Sequence, residues 1–132
     1  MNDVATIALK RIRLHLARSK EFPDGSARHG YEFVAPLDEE GRIDLESWRA
    51  QRALCTVDRF WGNEAPETGQ LVHRAGGANG ATWVFDYDRG ASDDDEAGYR
   101  FADHGFTPGE YVSLRDEDGE MHTFQVFSVR SI

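Results

Sequence analysis

Phe106-Thr107-Pro108-Gly109-Glu110-Tyr111-Val112-Ser113-Leu114-Arg115 leads through Asp116-Glu117-Asp118-Gly119 into Glu120-Met121-His122-Thr123-Phe124-Gln125-Val126-Phe127-Ser128-Val129. This stretch decides the fold class. Pro108-Gly109 is a turn pair, because proline presets φ and glycine accepts positive φ. Val112 and Leu114 then face one way, and Tyr111, Ser113 and Arg115 the other, the period-2 pattern of a half-buried strand. Asp118-Gly119 is a hairpin turn signal. The return strand changes parity: Phe124 and Val126 share one face, Phe127 and Val129 the other. Either it is covered on both faces, or a bulge near Val126 turns it around a barrel corner.

A hairpin cannot bury its apolar face alone, so other strands must supply the partner surface. Lys10 to Arg18 alternates Ile12, Leu14 and Leu16 against Arg11, Arg13 and His15. Ile7 and Leu9 stand on the opposite parity, which predicts a bulge or bend near Lys10. Phe22-Pro23-Asp24-Gly25-Ser26 is a turn cluster, and Arg28 to Leu37 follows as a strand with Tyr31, Phe33 and Ala35 on one face. Pro36 belongs at its end or on an edge. Asp44 is the expected N-cap of the one helix, 45–53, with Leu45 and Trp48 one turn apart. Cys55 to Trp61 is a strand, Gly62 to Gly69 a loop, and Gln70 to Arg74 and Ala81 to Tyr87 are strands. Asp88 to Gly98 is expected to be an exposed acidic loop and Tyr99 to Ala102 a short strand.

The two parity changes favour a closed or strongly curved architecture. The fold expected is mainly β: a small antiparallel β-barrel or strongly bent sheet of about seven strands with one short helix. A two-sheet β-sandwich is the alternative. A length of 132 residues is one domain's worth of chain, 1–132.

Residues 1–61 carry ten Lys/Arg and ten Asp/Glu, so the whole net charge of −9 lies in residues 62–132. A net acid repels phosphate backbones, which argues against nucleic acid as a partner; Arg11, Arg13 and His15 form a local exception able to contact an anion. No run approaches the roughly 20 apolar residues of a membrane-spanning helix. The single cysteine, Cys55, excludes an intramolecular disulfide and fits a reducing cytoplasm. Free cysteine is most often a small buried hydrophobe, and Cys55 is read that way.

No catalytic set emerges. Asp86, Asp88, Asp93, Asp94, Asp95 and Glu96 offer hard oxygen ligands, but Gly90 and Ala97 fall where a calcium loop needs other spacing, so a solvated loop is expected there and no metal site. His15, His29, His73, His104 and His122 lack the spacing of zinc motifs. Gly76-Gly77-Ala78-Asn79-Gly80 precedes a strand, not a helix, and reads as a turn, not a phosphate cradle.

Phe106-Thr107-Pro108-Gly109-Glu110-Tyr111-Val112-Ser113-Leu114 resembles a strand of the flavin-binding barrel of ferredoxin reductases. The resemblance covers about 23 residues of the chain and implies a barrel. In that family a following Arg-x-Tyr-Ser holds the flavin, and the matching residues here are Gln125-Val126-Phe127-Ser128, with glutamine in place of the arginine.

The functional expectation is a non-catalytic binding or accessory module for a protein or small-molecule partner. Trp61, Trp83, Phe85 and Tyr87 are the contact residues if they face solvent, and core residues otherwise. The alternative is a small flavin- or metal-dependent enzyme using the barrel mouth. Pairing of copies through an open sheet edge is a third possibility.

Overall fold

The computed structural model describes residues 7–74, 82–87, 96–98, 105–115 and 120–132. The strands are β1 Leu9–Leu16, β2 Ser26–Pro36, β3 Thr56–Trp61, β4 Glu67–Arg74, β5 Thr82–Asp86, β6 Glu96–Gly98, β7 Tyr111–Arg115 and β8 Met121–Ser131. Each is antiparallel to its neighbour in chain order, and β1 also pairs with β8, so the sheet closes as a barrel. The wall is thinnest at the three-residue β6. The barrel expectation holds, with eight strands against about seven, and the sandwich alternative falls. Closure takes up the outer edges of β1 and β8, the two strands an open sheet would have offered to a second copy.

Alternation fills the interior. Ile12, Leu14 and Leu16 of β1 face inward with Tyr31, Phe33 and Ala35 of β2, Val57 of β3, Leu71 of β4, and Trp83 and Phe85 of β5. Val112 and Leu114 of β7 and Phe124 and Val126 of β8 complete the core, as the period-2 reading of the hairpin requires. The tip of that hairpin, the Gly-rich stretch, the acidic run 88–95, His104 and the strand expected at 99–102 lie outside the described residues.

Helix α1, Leu45–Gln51, begins where expected: the Asp44 carboxylate accepts from Ser47 N at 3.0 Å, satisfying one orphan N–H of the first turn. A 3-10 turn, Arg52–Leu54, completes the span. The buried Trp48 packs edge-on against Trp83, with ring centroids 5.2 Å apart, and donates from Nε1 to Leu71 O at 3.0 Å. The helix thereby covers one end of the barrel.

Three expectations need correction. The break near Lys10 is absent, because Ile7 is not part of β1: its N–H donates to Ser47 Oγ and its carbonyl accepts from Gln51 Nε2, which ties it to the helix. Glu96–Gly98 is strand, not loop, pairing with β5 and β7. Strand β4 starts at Glu67, inside the expected loop, with Glu67 opposite Arg59. The bulge near Val126, by contrast, is present. Along β1 the partner of Arg13 is Ser128 and that of Leu14 is Val126, so Phe127 is the extra residue.

Candidate functional site

Both ends of the barrel are filled by side chains. At the end away from the helix, Arg59 lies on the inward parity of β3, only 16% of its side chain exposed, with its guanidinium 4.6 Å from the Trp61 ring centroid. It pairs with Glu64 at 3.5 Å and Glu67 at 3.7 Å. His29 meets the edge of Trp61 at 4.8 Å, Phe22 tilts against His29 at 4.6 Å, and His122 packs 5.8 Å from Trp61. His29 is held by Ser26 Oγ on Nδ1, at 2.7 Å. The mouth is therefore a packed aromatic and ionic plug.

Of the four aromatic residues singled out in the sequence, Trp83, Phe85 and Tyr87 are buried core residues, and Trp61 is a half-buried member of the plug. None is a solvent-facing contact residue.

Phe127 and Tyr111 are the exposed aromatics among the described residues, and Phe127 stands beside a basic cluster. It follows Thr123 and Gln125 on the outward parity of β8, has no partner on β1 because the register slips there, and stands out of the barrel, 61% exposed. Its ring stacks on His15 at 4.2 Å between centroids, with 24° between the planes. His15 Nε2 accepts from Arg13 Nε at 2.8 Å, and the Arg13 guanidinium sits 4.3 Å over the ring of Phe60, which also meets the edge of His15. Gly30, opposite His15, makes this possible. A Cβ there would overlap the Leu14 carbonyl oxygen and come within 3.1 Å of the Phe60 ring. The bare backbone at Gly30 is the floor on which Phe60 lies.

Beyond this aromatic pair the face is cationic. Arg13, Arg11 and Arg130 converge on one carboxylate, Glu32, at 3.2, 3.6 and 3.8 Å. Asp58, across from Glu32 in the β2–β3 pair, is engaged by Thr68 Oγ1 at 2.8 Å. The local basic exception noted at Arg11, Arg13 and His15 is joined on this face by Arg130 and Phe127 from β8. The parity change had marked Phe127; Arg130, Glu32 and Phe60 carried no signal, because cross-strand register is not written in a single chain.

Burial, then the neighbouring Arg13, hold His15 below the ordinary histidine value of 6.5. The geometry agrees, since a ring nitrogen that accepts from a guanidinium must be unprotonated. Burial pushes the Cys55 thiol up to about 11, and its Sγ lies 3.6 Å from Gln51 O, the setting of an inert packing residue.

Among the described residues no group of three or more His, Cys, Asp or Glu side chains is placed to hold a metal ion. Asp86, first of the acidic candidates, pairs with Arg74 at 3.0 Å. At the position where ferredoxin reductases place the flavin-binding arginine, Gln125 is neutral and its Nε2 donates to Gly109 O at 3.3 Å. No described helix is long and apolar enough to cross a membrane. No family model, curated protein or solved structure matches the chain.

Proposed function

We propose that the chain is a non-catalytic binding module and that its contact surface is the outer face of β1 and β8 around Phe127. The partner is an acidic segment of another protein. The observation that carries this reading is the bulge. It holds a large apolar ring in solvent, stacked on His15, beside three arginines that share a single glutamate. An exposed aromatic flanked by guanidinium groups is the side-chain chemistry of protein contact hot spots, and a cationic face on a chain of net charge −9 selects for an anionic partner. The filled barrel ends support a site on the exterior over one in the mouth. Nucleic acid stays the less favoured anion because the rest of the chain repels it. A free buried Cys55 accords with a reducing cytoplasm.

The test is fluorescence anisotropy with three labelled probes: a decapeptide of glutamates around one tryptophan, a lysine counterpart, and a thymidine oligonucleotide. The acidic peptide should bind saturably and the lysine peptide should not. Phe127→Ala and Arg130→Glu should each weaken binding about tenfold, the loss expected for one well-placed contact. No saturable binding of the acidic peptide, indifference to both substitutions, or binding of the oligonucleotide alone would each overturn the reading.

A further inference from the structure

A second surface feature lies further along the outward row of β8 from Phe127. A recess of about 570 Å³ opens where β1 runs into its turn, lined by Leu16, Ala17, Arg18, Asp24 and Gly25 on one side and Tyr111, Thr123 and Gln125 on the other. Its volume falls within the roughly 300–1,000 Å³ of small-molecule pockets. We propose that this recess binds a small zwitterion of the amino-acid class, with Arg18 receiving the carboxylate and Asp24 the ammonium group.

Three observations converge on this ligand. First, the two charges are opposite, line the same recess, and are not bonded to each other; among the described residues neither makes a hydrogen bond or ion pair through its side chain. Both side chains are exposed, where ion pairing contributes little, so one cation and one anion are available to a ligand that carries the complementary pair. Second, the turn is pre-formed. Ala17 N donates to Thr123 O, and Ser19 N and Gly25 N both donate to Phe22 O, each at 2.9 Å. Gly25 adopts φ +75°, and a Cβ there would approach Leu16 O at 2.8 Å, so the wall beside Asp24 is set by backbone alone. Pre-ordering of this kind removes part of the entropic cost of binding. Third, the opposite wall is neutral and hydrogen-bonding, with the Tyr111 ring, 58% exposed, at its rim to cover an apolar body. A ligand of one sign only would leave one of the two charges facing it unmatched or repelled.

This inference does not rest on the acidic-peptide reading, since neither Arg18 nor Asp24 belongs to the Phe127 face. The experiment titrates each of the twenty L-amino acids into the isotopically labelled full chain and follows backbone amide resonances. At least one should shift Ala17, Arg18, Gly25, Thr123 and Gln125 saturably below about 10 mM, the range of weak small-ligand binding. Its N-acetyl and its amide derivatives, each lacking one charge, should bind at least about tenfold more weakly, as loss of one charge-assisted hydrogen bond implies. Arg18→Gln should match the loss on amidation and Asp24→Asn the loss on acetylation. Absence of saturable shifts for all twenty, shifts centred elsewhere, or either derivative binding as tightly as the parent amino acid would overturn the proposal.

Discussion

Phe127 lies nearly parallel over His15, 4.2 Å between ring centroids, and the same imidazole accepts a hydrogen bond from Arg13 at its Nε2. The hydrogen bond needs an unprotonated Nε2, and burial favours the neutral ring too. The local geometry around Phe127 is therefore tied to the protonation of one side chain.

That tie has a stated sign. His15, His29 and His73 are all held below the ordinary value of 6.5, each first by burial and then by a nearby arginine: Arg13, Arg28 and Arg49 respectively. The unfolded chain therefore takes up these protons more readily than the folded one. Stability is whole above pH 6.5 and is lost as the pH falls below it toward the depressed folded values. Denaturant midpoints measured from about pH 8 down to about pH 5 should fall monotonically. His15→Phe should flatten part of that slope, and an unchanged slope would show that His15 titrates normally.

Gly30→Ala should destabilise the barrel by about 1–3 kcal/mol, the usual cost of overpacking. The new methyl would overlap the Leu14 carbonyl, which is backbone and unable to rotate away. Urea denaturation checks the magnitude. The His15 and Phe60 ring resonances should shift in the same variant, since Gly30 is the floor beneath them.

Arg59→Ala should remove the plug from the barrel end. Loss of a partly desolvated cation–π contact costs about 1 kcal/mol. The sharper readout is Trp61, whose indole would gain water: its emission should move to the red and become more accessible to iodide. Trp61 emission that does not change would mean that Arg59 leaves the mouth open.

Cys55 should resist thiol reagents in the native state, because burial pushes its thiol up to about 11. Its reaction with a disulfide probe at neutral pH should proceed only as fast as the protein opens, and become immediate in denaturant. Rapid native labelling would contradict the packing of this residue under α1.

Much of the architecture was legible because it rests on local chemistry. Val112 and Leu114, the helix cap at Asp44 and the terminal position of Pro36 each follow from a residue's own conformational limits and its near neighbours. The parity change on β8 reads directly as a bulge. The similar change near Lys10 misled, because Ile7 is bound by Ser47 and Gln51, some 40 residues away in sequence. The face around Phe127 was half legible. Arg11, Arg13 and His15 are contiguous in one strand, but Glu32, Phe60 and Arg130 reach them only through strand pairing. The aromatics that stood out by size are the ones the fold uses for its interior.

The extra residue on β8 has an evolutionary corollary. Were Phe127 deleted, Val126 and Ser128 would become neighbours opposite Leu14 and Arg13, and every later side chain of β8 would keep its inward or outward sense. The barrel and the exposed aromatic are thus separable traits. A lineage, or an engineer, gains or discards the aromatic by inserting or removing a single codon, with no compensating change in the core.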